Sequence, residues 1–221
     1  CITNIKTNYT QILEEIATTA QSSGTALSTI TLVVVTKTQP IDAITSLIDL
    51  GHTHFGENRT DEALAKITHF KNTDNNKIAK PIWHMIGHIQ SRKAPIVACN
   101  FNYIHSVHSL KLAKRLSNKA SELSIKIPIL IQCNTSGEQS KSGLVAPTDN
   151  FDSTQYKTIL DTIEQIIALP NIQTNGLMTM APNTKNESAI RSTFARLRRL
   201  RTHLTKLFPS INLSELSMGM S

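Results

Sequence analysis

The sequence predicts a (β/α)8 barrel in which seven βα strands are in view and the eighth is missing. Three observations carry this. Strand-like and helix-like segments alternate along nearly the whole chain, as crossover connections between parallel strands require. The strand-like runs are rich in β-branched residues, as in Ile30-Thr31-Leu32-Val33-Val34-Val35-Thr36, which suits a strand buried on both faces. The residues with chemical capability, Lys37 first among them, fall where those runs end, at the carboxyl edge where α/β barrels keep their sites.

In order, a leading helix is predicted over 3–22 and a strand over 30–37. A helix over 41–50 follows, opened by Pro40, whose missing N–H costs nothing in a first helical turn. The strand 52–58 begins just after Gly51 and leads to a helix over 60–71. Strand 82–87 and helix 91–99 form the next unit, then strand 103–107 with helix 109–124. Strand 127–134 precedes a helix over 154–169, strand 172–180 precedes one over 187–207, and strand 216–220 closes the series.

At 221 residues the chain can bury a full core, and 1–221 reads as one domain, because nothing in it resembles a linker. The polar stretches 71–80 and 146–154 read as loops within βα units. No run is long and apolar enough to span a bilayer, and the start lacks the basic and apolar segments of a signal peptide. Cys1, Cys99 and Cys133 are too few and scattered for a disulfide framework, which points to a reducing cytoplasm. A start at Cys1 and a stop at Ser221 are also compatible with a fragment.

The net charge of +7 raises nucleic acid as a partner. Arg191, Arg196, Arg198, Arg199 and Arg201 crowd one helix, mostly off the apolar stripe of Phe194, Leu197, Leu200, Leu204 and Leu207. This predicts an outer helix with a solvated basic face, and no nucleic-acid reading motif accompanies it. Among eight histidines, His52 and His54 share a strand face as in metal hydrolases, but at the strand's start. His84, His105 and His108 stand better, yet no acidic residue ends a neighbouring strand to complete a hard metal site, so no metal is expected.

Five clusters end strands, and in one of them, Trp83-His84-Met85-Ile86-Gly87 followed by Gln90 and Ser91, the lone His on a mostly apolar strand reads as a satisfied core residue. Lys37 closes the first, either as a solvated lysine capping the strand or as an amine whose partial desolvation at a barrel rim would lower its pKa and free it for an aldehyde. Phe55-Gly56-Glu57-Asn58 closes the second, and Asn58 either offers an uncharged donor and acceptor to a ligand or caps the following helix. Asn134 to Gly143 resembles a phosphate loop only superficially, since Ser140 stands where a Walker motif needs Gly, and it reads as a mobile polar loop with an accessible Lys141. Ser217-Met218-Gly219-Met220-Ser221 offers small residues and amides after strand seven, where barrels commonly bind phosphate. A lysine and a phosphate cradle together describe an aldehyde that carries a phosphate, and pyridoxal 5′-phosphate is the commonest such cofactor.

Val33-Val34-Val35-Thr36-Lys37-Thr38-Gln39-Pro40, Phe55-Gly56-Glu57-Asn58, Trp83-His84-Met85-Ile86-Gly87, Ile104-His105-Ser106-Val107, Ser140-Lys141-Ser142-Gly143, Gly176-Leu177-Met178 and Leu216-Ser217-Met218-Gly219-Met220-Ser221 occur in this order. Together they resemble the YggS/PROSC family, the pyridoxal phosphate homeostasis proteins, over almost the whole chain. The resemblance implies a barrel of the alanine racemase type with the cofactor held as a Schiff base on Lys37. It places Asn58 near the ring and Ser217, Gly219 and Ser221 at the phosphate. It implies a monomeric cytoplasmic carrier that buffers vitamin B6 and passes it to apo-enzymes, with Lys141 a candidate second landing point and no catalytic residue of its own.

His88 and Arg92 stand where the family usually has Pro and Asn, and Arg59 where Tyr is common. The family also continues into an eighth strand with an Arg-Ile-Gly segment that nothing here matches, so open edges on the first and seventh strands and weak cofactor binding are expected. Two other activities suit the scaffold. A racemase or decarboxylase would need a second base, which related racemases draw from a further domain and a partner chain. A cofactor-free Schiff-base aldolase would also use a barrel lysine.

Overall fold

Residues 2–72, 80–138, 141–146, 151 and 153–220 are described by the structure, a computed structural model. The chain forms two compact units, Cys1–His84 and Met85–Ser221.

The first unit opens with α1 (Ile2–Ser23), which packs on α2 (Ile41–Asp49). Pro40 is the N-cap of α2, and Ile44, Leu47 and Ile48 bury one of its faces at helical spacing. Gly51 ends it at φ +86°: its N–H bonds the Ile48 carbonyl at 2.8 Å and the His52 N–H bonds the Leu47 carbonyl at 3.0 Å. This Schellman turn needs the left-handed conformation that glycine adopts without a Cβ penalty. It delivers His52 to the start of β2 (His54–Glu57), which stands between β1 (Val34–Val35) and β3 (Ile82–Met85). Phe55 is fully buried and its ring lies 5.7 Å from that of Trp83. Helix α3 (Thr60–Asn72) turns Thr60, Ala63, Lys66 and Ile67 inward.

Strand β1 is much shorter than the predicted 30–37. Among the described residues it ladders with β2 alone, in parallel, through Val34 opposite Phe55 and Val35 opposite Gly56. The run is not buried on both faces as predicted: Ile30 and Val35 are 39% and 43% exposed.

In the second unit the strand order is β4 (Tyr103–Val107), β5 (Ile127–Asn134), β7 (Ile172–Ala181) and β8 (Glu215–Met220), with the described pairings parallel. The helices are α4 (Ala94–Asn100), α5 (Leu110–Glu122), α6 (Thr154–Ile167) and α7 (Glu187–Leu207). Ser109, Ser153 and Asn186 cap the last three through side-chain oxygens that accept from main-chain N–H groups. Every residue of β5 except Pro128 is buried, and Leu112, Leu116, Ile163, Leu197, Leu200 and Leu204 are nearly or fully buried on the helices. Between β7 and β8 the backbones approach so closely at Gly176 that an added Cβ would sit 1.9 Å from the Glu215 carbonyl oxygen.

The helix predicted over 91–99 begins instead as a 3-10 turn, Ser91–Lys93, with α4 starting only at Ala94. Pro95 cannot donate the bond that would extend an α-helix back over that turn. The sequence also gave no sign of β6 (Leu144–Val145), which pairs with β5. The basic face of α7 is only partly solvated: Arg196 and Arg201 donate to the carbonyls of Thr135 and Ser214 at 3.2 and 3.0 Å. Arg198 and Arg199 are exposed. Among the described residues no helix is long and apolar enough to cross a membrane.

Candidate functional site

The first unit places Lys37 and Asn58 just beyond the ends of two paired strands. Each stands two residues past the register pair Val35 and Gly56. The Thr36 N–H extends the ladder by donating to the Gly56 carbonyl at 2.9 Å, and the Gln39 N–H closes a tight turn onto the Thr36 carbonyl at 3.0 Å. Lys37 and Thr38 are the central residues of that turn, and Thr38 holds φ +62°. A β-branched residue there is strained, and such strain persists only where the surroundings over-determine it.

Lys37 is exposed rather than partly buried. Among the described residues its amine has no hydrogen-bond or ion-pair partner, and neither has the half-buried side chain of Asn58. Asn58 is not a helix cap in the usual sense, since α3 begins two residues later at Thr60.

Directly before Lys37 lies a polar cluster that the sequence did not reveal. The Thr36 hydroxyl donates to Glu57 Oε1 at 2.7 Å, and Lys66 Nζ bonds the same oxygen at 2.7 Å and the Thr36 carbonyl at 2.6 Å. Thr36, Glu57 and Lys66 are 2%, 0% and 8% exposed, and among the described residues the second carboxylate oxygen of Glu57 has no partner. A cation on the inward face of α3 was the available signal, since Lys66 follows Thr60 and Ala63 at helical spacing.

The histidines at the other end of β2 are structural. Nε2 of His52 meets the His54 carbonyl at 2.6 Å, so this nitrogen carries the proton and Nδ1 accepts from the Tyr9 hydroxyl at 3.1 Å. His54 Nδ1 and His84 Nε2 lie 2.9 Å apart. Burial lowers the pKa of both His52 and His54. Among the described residues no three His, Cys, Asp or Glu side chains group as metal ligands.

In the second unit Ser217 and Gly219 lie on β8, and Ser221 falls outside the described residues. The Ser217 hydroxyl is 2.8 Å from Nδ1 of His105, and burial pulls the His105 pKa down to about 4. Two residues earlier on each strand, the Tyr103 hydroxyl donates to Glu215 at 2.5 Å, and Asn175 donates to the Tyr103 oxygen at 2.7 Å. Burial, with Glu215 beside it, raises the Tyr103 pKa. Of the residues that depart from the family pattern, His88 stacks on His108 at 4.5 Å and Arg59 pairs with Glu62 at 2.9 Å.

The loop after β5 is held rather than mobile over its described part. Asn134 Nδ2 donates to the carbonyls of Glu138 and Lys141, and Gln132 donates to that of Ser142. Lys141 is correspondingly less accessible than expected, its side chain 22% exposed with a Glu138 carboxylate oxygen at 3.9 Å.

The family model described as alanine racemase, N-terminal domain, matches residues 12–221. The pyridoxal phosphate homeostasis protein of Vibrio alginolyticus is 34% identical over 221 residues, which span 100% of this chain and 88% of the relative. That of Pseudomonas aeruginosa is 35% identical over 220 residues, spanning 100% and 86%. The structure of PipY from Synechococcus elongatus with pyridoxal phosphate bound is 30% identical and superposes with a TM-score of 0.73, covering 95% of this chain and 89% of PipY. The βα alternation and these likenesses agree: the chain has the alanine racemase-like barrel fold and belongs to the family of pyridoxal phosphate homeostasis proteins.

Proposed function

We propose that this chain holds pyridoxal 5′-phosphate on Lys37 and serves vitamin B6 homeostasis by storing the cofactor and passing it to apo-enzymes. The observation that carries this is the Lys37 amine, exposed and without a partner among the described residues, presented by a strained turn next to Asn58. Such a donor set fits the group. Pyridoxal phosphate supplies an aldehyde that condenses with a lysine amine with loss of water. Lys37 would hold it covalently, and the Asn58 carboxamide would hydrogen-bond it without adding charge. Ser217, Gly219 and Ser221 enter as proposed phosphate contacts, with the hydroxyl of Ser217 already engaged by His105. The names of the relatives and the cofactor bound in PipY support the same reading.

A monomer working in the cytoplasm completes the proposal. Cys99 and Cys133 are free thiols, as a reducing compartment keeps them. No reaction of its own is assigned. A mixture of the chain with pyridoxal phosphate is expected to develop a visible band that Lys37→Ala abolishes, and the loaded chain to restore activity to an apo-enzyme that depends on the cofactor. A band unchanged in Lys37→Ala, or loaded chain that never reactivates the apo-enzyme, would contradict the proposal.

A further inference from the structure

We propose that the buried pair of Lys66 and Glu57 is a positioning device for Lys37, an inference that rests on Lys37 as the residue that holds the cofactor. Lys37 leaves β1 after a ladder of only two paired residues, too short to fix the backbone by strand pairing alone. Its predecessor compensates. All three polar groups of Thr36 are occupied: the N–H by Gly56, the carbonyl by Lys66 and Gln39, and the hydroxyl by Glu57. Two of those partners form one ion pair, reaching in from β2 and α3.

Stability does not account for the pair. Removing two charges from water costs several kcal/mol per ion, and an apolar pair of similar volume is often as stable or more so. The cost is higher here because one Glu57 oxygen is buried without a partner among the described residues. What the pair supplies is a fixed Thr36, and with it the origin of a turn whose second central residue is held at positive φ. Lys66 and Glu57 act through Thr36, so they are positioning residues and not catalytic ones.

The test measures how fast pyridoxal phosphate, fixed by borohydride, accumulates on Lys37, alongside urea denaturation of the same proteins. Replacing the pair by apolar residues, Glu57→Leu with Lys66→Met, is expected to leave the denaturation midpoint nearly unchanged while the rate at Lys37 falls about tenfold to a hundredfold. Other surface lysines should react at their former rates, and Lys66→Arg should keep most of the rate at Lys37. Thr36→Val removes only the hydroxyl bond and decides the matter should the double variant fail to fold; its rate is expected to fall by about threefold or more. A folded double variant, or failing that Thr36→Val, that reacts at Lys37 as fast as the unaltered chain overturns the inference alone. No adduct on Lys37 in the unaltered chain overturns the reading of Lys37 as well.

Discussion

The ladder of β5 with β7 and the corner where β1 meets β2 are both parallel pairings, held in opposite ways. The first runs from Ile127 opposite Ile172 to Gln132 opposite Met178, is buried along nearly its whole length, and is packed by helix side chains such as Leu112 and Ile163. The second is two residues long, leaves Val35 exposed, and relies on a buried ion pair and the hydroxyl of Thr36. Apolar burial stabilises without direction, whereas a polar network fixes one backbone in one place. Region for region, the long ladder is the buried one, and Lys37, the proposed holder of the cofactor, follows the short one.

Breaking the long side should cost most. In Gly176→Ala the new Cβ would meet the main chain of Glu215 and not a side chain that could rotate away, so β7 and β8 would have to separate. A loss of about 3 kcal/mol or more is expected in urea denaturation.

The contrast itself can be sharpened with one truncation on each side. Ile131 is fully buried in β5, and Ile131→Ala should cost about 3 kcal/mol. Val35 is 43% exposed, and Val35→Ala should cost about 0.5 kcal/mol or less by the same measurement. Equal losses would mean that the corner is packed like the ladder.

A third expectation concerns pH. His105 has its folded pKa depressed to about 4 by burial, so the unfolded chain takes up the proton first as pH falls. Its contribution is therefore intact above the unfolded value of about 6.5 and lost progressively down to pH 4, by about 3 kcal/mol. His105→Gln should flatten the stability profile over that window, while leaving the smaller loss of the same sign from His52 and His54.

Much of this was legible in the residues. The strands Tyr103–Val107 and Ile127–Asn134 and the helix Glu187–Leu207 lie where their β-branched and helical periodicities put them. Lys37 stood out because a lysine ends an apolar run, and Asn58 because an uncharged donor and acceptor ends the next predicted strand. What escaped depends on tertiary partners. β6 exists because Cys133 and Asn134 lie opposite Leu144 and Val145, and the bond between His105 and Ser217 joins residues far apart in sequence. The spacing of Lys66 with Thr60 and Ala63 hints at an inward cation but not at its partner Glu57, and β1 looks longer than it is because a run of valines cannot reveal how many neighbours it will have.

The most direct test of the central claim is peptide mapping after the chain is mixed with pyridoxal phosphate and reduced with borohydride, which fixes even a weakly held adduct. The account predicts that the pyridoxyl mass is found on Lys37 ahead of every other lysine. A map with Lys37 unmodified, or modified no faster than the exposed lysines of the helices, would contradict it.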